Sequence, residues 1–155
     1  MKRFLTPLLS LFVFGAMLSS CTNVSRIIAT GLEIEVTALE RSSDGTVTAA
    51  WNVKNPNIVS YLFSRVNHKI QLNGVALGTI DESEPLALPA SSNAGRTSKL
   101  TGINAAANAT LTEAALKGSA SYRIDSQITI LIYDDNVEKS VLTNSGTVPV
   151  RNKEN

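Results

Sequence analysis

Residues 47–57, Val-Thr-Ala-Ala-Trp-Asn-Val-Lys-Asn-Pro-Asn, decide the fold. Val47, Ala49, Trp51 and Val53 fall on one parity, and Thr46, Thr48, Ala50 and Asn52 on the other. Side chains of an extended chain alternate between two faces, so this is a strand with one face in the core. It stops at Asn55-Pro56-Asn57, because Pro has no N–H for a ladder and Asn favours turns. On the N-terminal side Asp44-Gly45 makes a hairpin turn. Beyond that turn, Leu32, Ile34 and Val36 alternate with Glu33, Glu35 and Thr37 as a second half-buried strand.

The same period continues downstream. Ile58 to Phe63 is an apolar segment of undecided form, followed by a strand with Val66, His68, Ile70 and Leu72 on one parity. Asn73-Gly74 is the strongest hairpin signal in the chain. Val75 to Ile80 is its partner strand, with Gly78 allowing a bulge. Pro85 and Pro89 bracket a short edge piece, Leu86-Ala87-Leu88. Ser91 to Gly95 reads as a loop and Arg96 to Leu100 as a strand.

The period changes once. Ile103, Ala107, Leu111, Ala114, Ala115 and Gly118 recur at helical spacing. Thr110-Leu-Thr-Glu113 resembles a capping box and Gly118 a C-cap, which predicts one short helix near 104–117, firmest in its second half. A long strand follows, with Ala120, Tyr122, Ile124, Ile128, Ile130 and Ile132 on one face. Tyr133 to Asn136 is a turn, Ser140 to Val150 a last strand, and 151–155 a polar, frayed tail. Short strands at turn-punctuated intervals give an all-β sandwich with one helix.

The ordered set Trp51-Asn-Val-Lys-Asn55-Pro56-Asn57, then His68-Lys-Ile-Gln-Leu-Asn-Gly74-Val-Ala-Leu-Gly78, then Pro89-Ala-Ser, resembles the LEA type 2 domain. This late embryogenesis abundant domain is also called WHy, for water stress and hypersensitive response. The resemblance covers roughly 32–150. It implies an antiparallel β-sandwich similar to fibronectin type III, with one helix. It also implies a role in desiccation and water-stress tolerance through protection of proteins or membranes. It brings no catalytic residue; Asn55, Pro56 and Asn57 enter as a structural family motif.

The N-terminal residues concern location. Met1-Lys2-Arg3 is a short positive start, and Phe4 to Met17 is an uncharged, mainly apolar run. That run is short of the ~20 apolar residues a membrane-spanning helix needs, and its layout is that of an export signal. Leu18-Ser19-Ser20-Cys21 then resembles a lipobox. In lipoproteins of that kind the Cys sulfur takes a diacylglycerol, the bond before it is cut, and the new amine is acylated. The competing readings are an ordinary secretory signal with a chance Cys, or a buried structural Cys. Cys21 is the only Cys and sits where the apolar run ends, which favours the lipobox. Two or more acyl chains anchor stably, since each buried methylene adds roughly 0.8 kcal/mol.

The expected organisation is a signal peptide over 1–20, cleaved between Ser20 and Cys21, a lipidated tether over 21–31, the sandwich over 32–150 and the tail over 151–155. With Cys21 lipidated, the rest of the chain has no disulfide, thiolate nucleophile or Cys-based metal site. Taking Lys2 and Arg3 from the 14 basic residues leaves 12 against 13 acidic ones, a side-chain sum of −1. The charges are interspersed, without the basic patch of a nucleic-acid binder or a polybasic membrane segment.

Candidate chemistry is sparse. His68 is the only His, and its parity points it to the apolar face, where a structural role is expected. Asp134 and Asp135 could offer oxygens to Ca²⁺, but a Ca²⁺ loop carries several alternating ligands. Glu82 and Glu84 flank a Pro-rich loop and read as solvated. Trp51 follows the alternation into the core. No nucleophile elbow, phosphate loop, zinc helix or dinucleotide fingerprint occurs.

The expectation is therefore a non-enzymatic protein with no cofactor and no metal. Its partners would be the membrane, through lipid on Cys21, and non-specific client proteins. No nucleic acid is expected, and a small-molecule ligand is left open. The alternative is an envelope binding module that recognises a protein through an edge strand or end loops. Thr22 after the Cys, rather than Asp, favours an anchor in the outer membrane facing the periplasm over one in the inner membrane.

Overall fold

The computed structural model describes residues 31–131 and 137–153. In chain order the elements are β1 (Glu33–Arg41), β2 (Val47–Asn55), β3 (Tyr61–Leu72), β4 (Val75–Glu82), β5 (Leu86–Leu88), β6 (Ser92–Lys99), α1 (Ala105–Lys117), β7 (Ser119–Leu131) and β8 (Val137–Asn152). The fold is all-β with one short helix, as the sequence predicts. The strands form one curled sheet in the order β4-β3-β7-β8-β1-β2-β6, with β5 added to β3.

The two layers are thus halves of a single half-barrel rather than separate sheets. They are joined through β8, which pairs antiparallel with β7 along its length and parallel with the end of β1, at Leu39↔Val150 to Arg41↔Asn152. β1 and β8 lie at opposite ends of the sequence, so the rest of the domain forms the long crossover a parallel pair requires. Asn144 reinforces this join by donating to the Ile34 carbonyl at 2.6 Å. The outer strand β4 meets the segment just beyond β6, where Thr79 and Thr101 exchange two 2.9 Å backbone hydrogen bonds.

The in-facing parity of each strand builds the core. Val47, Ala49, Trp51 and Val53 on β2 are buried, as are Val66, His68, Ile70 and Leu72 on β3 and Ala120, Tyr122, Ile124, Ile128 and Ile130 on β7. Burying one such aliphatic or aromatic side chain contributes about 1.5–3 kcal/mol. Two bulges change the parity where simple alternation would fail. One between Val36 and Ala38 turns Leu39 inward after Leu32, Ile34 and Val36. The other, between Phe63 and Arg65, lets Tyr61 and Phe63 share the interior with Val66. The expected irregularity by Gly78 is present as a register shift opposite Ile70 and Gln71.

Asn73 and Gly74 both have positive φ, 48° and 81°, the backbone of a tight type I′ hairpin turn. The helix is capped by Asn104, whose side chain accepts from the Ala107 N–H, and by Gly118 in the left-handed region at φ 78°. Its start therefore lies six residues before the expected box at Thr110, which is helical and donates back to the Ala106 carbonyl. Ala107, Leu111 and Ala114 face the sheet, and the small Ala side chains allow close approach. Among the described residues no helix is long and apolar enough to cross a membrane.

Three boundaries differ from expectation. The loop expected at Ser91–Gly95 is mostly the first half of β6, which pairs with β2 from Asn55↔Ser92 to Thr48↔Lys99. Turn-like composition yields there to the free edge of β2. A Cβ on Gly95 would collide with the Trp51 carbonyl oxygen, so this polar segment fits against β2 because residue 95 has none. β8 begins at Val137 and continues through Arg151 and Asn152 of the expected tail, because β1 offers Glu40 and Arg41 as partners. The undecided 58–63 segment divides into an exposed turn and the start of β3.

Candidate functional site

The Asn55-Pro56-Asn57 corner is the most organised feature near an end of the half-barrel. Asn55 closes β2 on the in-facing parity and is 2 % exposed. Its Nδ2 donates to the Val59 and Pro89 carbonyls, both at 2.8 Å, and its Oδ1 accepts the Asn57 N–H at 3.0 Å. One side-chain amide thus closes its own turn and ties it to a segment 34 residues away. Pro56 cannot continue the ladder, so the chain leaves the sheet where Asn55 can satisfy its carbonyls.

Asn57 donates from Nδ2 to the Tyr61 hydroxyl at 3.2 Å and accepts the Ser91 N–H on its carbonyl at 2.8 Å. Burial pushes the Tyr61 phenol up. Ser60 Oγ accepts the Ala90 N–H at 3.1 Å. The 56–60 and 89–91 turns are therefore fastened to each other by backbone and side chain. Next to them is an open groove of about 500 Å³ bordered by Glu33, Lys54, Pro56 and Asn93.

A second polar cluster lies within the core. Trp51 Nε1 donates to Ser98 Oγ at 3.1 Å, and the indole meets the His68 ring edge-on, with centroids 4.5 Å apart and planes at 70°. His68 Nδ1 is 2.8 Å from Ser126 Oγ, and its Nε2 has no hydrogen-bond partner. Burial lowers the His68 pKa from 6.5 to about 4, so the ring is neutral near pH 7. A Ser–His pair at this distance has the spacing of an activated nucleophile. Here Ser126 is 1 % and His68 0 % exposed, so a substrate has no approach to it.

The structure brings together residues that the sequence separates. Trp51 and His68 touch, and Asn55 reaches Pro89. Ser98 and Ser126 were not singled out from the sequence, although Ser126 lies on the in-facing parity between Ile124 and Ile128. Glu84 is exposed, as expected, and its carboxylate and carbonyl also take Arg96 Nη1 at 2.9 and 3.1 Å. Ser20, Cys21, Asp134 and Asp135 lie outside the described residues. Among the described residues, no three His, Cys, Asp or Glu side chains are grouped to hold a metal.

No family model and no curated protein matches the chain. Solved structures do. The solution structure of AT1g01470 from Arabidopsis thaliana superposes with a TM-score of 0.52 at 13 % identity, over 79 % of this chain and 80 % of that one. A protein described as a candidate late embryogenesis abundant protein, At2g46140.1, gives 0.48 at 14 % identity over 90 % and 78 %. A crystal structure of a protein from Archaeoglobus fulgidus gives 0.43 at 19 % identity over 77 % and 95 %. At these identities the likeness concerns the fold alone, and the Arabidopsis structure AT1g01470 carries it.

Proposed function

We propose that this chain is a non-enzymatic stress-protection protein of the LEA type 2 kind, anchored by lipid on Cys21 to the outer membrane and facing the periplasm. The observation that carries this reading is the convergence of the residues in the family-like pattern. Trp51 packs on His68, and Asn55 fastens the Asn-Pro-Asn turn to Pro89. The pattern is therefore one structural unit rather than scattered turn residues.

The outward faces support a protective surface. On β3 the out-facing residues Asn67, Lys69 and Gln71 stand beside Gln127, Asp125 and Arg123 of β7, a mixed polar lattice that holds water. Such a surface keeps drying proteins apart without recognising any of them. The test is to dry or freeze a labile enzyme with and without the domain. Protection beyond that of an equal mass of albumin is expected; equal protection counts against the reading. Cys21→Ala should leave the membrane fraction, and a variant that stays there after salt washing sinks the lipid anchor.

One observation favours the alternative of an envelope adaptor. β6 ends the sheet and pairs with β2, so its outer side offers a ladder to an added strand. Recovery of one stoichiometric partner with the lipidated protein would favour that reading.

A further inference from the structure

We propose that the domain stands end-on on the bilayer, with the 56–60 turn touching the lipid surface through Ile58 and Val59, flanked by a row of Leu62, Leu131 and Val137. This rests on the lipid anchor at Cys21 and adds an orientation and a contact surface to it.

The first observation is the distribution of exposed apolar side chains. Seven large ones are exposed among the described residues, and five belong to this group, led by Ile58 at 91 % and Val59 at 51 %. Leu62 pairs with Leu131, and Leu131 with Val137, so the three form one cross-strand row on the outer face at the same end as the turn. The next rung is polar, with Thr129 opposite Lys139, and beyond it Gln127 stands opposite Val141, a single exposed apolar side chain outside the group. The apolar surface is thus concentrated at one end. Ile58 and Val59 are also held outward by a fixed backbone, because Asn55 binds the Val59 carbonyl and Ser91 the Asn57 carbonyl.

The second observation is where the tether enters. A Cβ on Gly31 would lie 3.5 Å from Pro56 Cγ, so the chain from Cys21 joins the domain beside the same turn. Residues 22–30 intervene, and fully extended the ten steps from Cys21 to Gly31 reach about 35 Å. β7 runs from this end to the helix end over 13 residues, roughly 40 Å. The tether is shorter than the strand. Turning the helix end, with exposed Leu116, down onto the bilayer would therefore need the tether nearly fully extended, whereas the Ile58 end can rest on it with the tether slack.

The charges specify what kind of contact this is. The mature side chains sum to −1 without a polybasic run. Attraction to anionic headgroups is not the driving force, so shallow apolar insertion should serve neutral and anionic bilayers alike.

The test uses the full chain recovered from membranes, acylated on Cys21. No other thiol competes, so Ile58→Cys and, separately, Leu116→Cys can each carry one environment-sensitive fluorophore. The protein is placed in phosphatidylcholine vesicles containing spin-labelled lipid. Quenching by the lipid label should be several-fold stronger at 58 than at 116, and unchanged by salt or by added anionic lipid. Equal quenching at both sites on a floating, acylated protein overturns the end-on contact and leaves the anchor intact. Position 58 shielded from aqueous iodide without lipid quenching assigns the tip to a second copy or another protein, and also overturns it. A recovered chain without acyl groups removes the anchor, and this inference with it.

Discussion

Asn55→Asp tests the corner most sharply, because it changes donors into acceptors at nearly constant volume. The native amide makes two 2.8 Å donations, to the Val59 and Pro89 carbonyls, in a site only 2 % exposed. A carboxylate keeps the bond from the Asn57 N–H, loses both donations and faces two carbonyl oxygens. Each lost hydrogen bond costs about 1 kcal/mol net, and more where a partner is left unpaired, so the expected loss at pH 7 is about 3–5 kcal/mol. For a domain of this size that is a fall of roughly 10–20 °C in Tm.

The pH dependence gives a second reading of the same substitution. Burial and the facing carbonyls disfavour the anion, so the folded pKa of the new Asp is raised above its unfolded value of about 3.9. The native state of the variant then holds the proton more tightly than the unfolded state. Stability relative to wild type is best below about pH 4 and is lost as the pH rises through the folded pKa. Thermal melts of both proteins, followed by circular dichroism from pH 3.5 to 8, give the difference directly. A variant melting within about 2 °C of wild type at pH 7, or a penalty that shrinks as pH rises, would refute the role assigned to the Asn55 amide.

Further outcomes follow from other parts of the structure. His68 has a folded pKa of about 4 against 6.5 unfolded, so between these values the unfolded state binds the proton and the native state does not. Its contribution is present above pH 6.5 and is lost as the pH falls toward 4, on the order of 3 kcal/mol in all. Chemical denaturation across that window should show the slope in wild type and a flatter line in His68→Phe; an unchanged slope assigns it elsewhere. Gly95→Ala drives a methyl into the Trp51 carbonyl and should cost roughly 2–4 kcal/mol, with amide exchange rising first along β6. Wild-type exchange rates there would show that the edge can give way. Asn104→Ala removes the acceptor for the Ala107 N–H and should cost about 1 kcal/mol, read as faster exchange at that amide.

The parts of the fold legible in sequence are those set by local chemistry. β2 alternates without interruption from Val47 to Asn55, and Gly118 ends the helix where the periodicity ends. The bulge by Gly78 was legible from its glycine, but those in β1 and β3 were not. Leu39 lies on the parity opposite to Ile34 and Val36, and only the inserted residue between Val36 and Ala38 reconciles them. β6 was half hidden because Ser92-Asn-Ala-Gly95 has turn composition, and its strand state depends on an edge contributed by β2. At the corner, Asn-Pro-Asn is visible as a turn, but the bond from Asn55 to Pro89 spans 34 residues and has no local signature. Buried Ser98 and Ser126 were obscured for a related reason. Serine marks loops by composition, and its value here comes from partners on other strands, Trp51 and His68.

The two polar clusters explain how a single curled sheet behaves as two layers. β2 and β3 follow one another in sequence, yet β8, β1 and β7 separate them in the sheet. Hydrogen-bonded ladders therefore do not hold them face to face. Trp51 and His68 make that contact in the interior, and the Asn55 bond to Pro89 makes it at the end, since Pro89 follows β5, a partner of β3. An apolar core would supply attraction across this gap but would tolerate sliding, whereas a directional bond such as Asn55–Pro89 has one satisfactory register. Fixing that register also fixes the 56–60 turn and the outward aim of Ile58 and Val59. In the proposed end-on orientation the corner residues thus act through placement: they hold beside Gly31 a surface that their own side chains do not form.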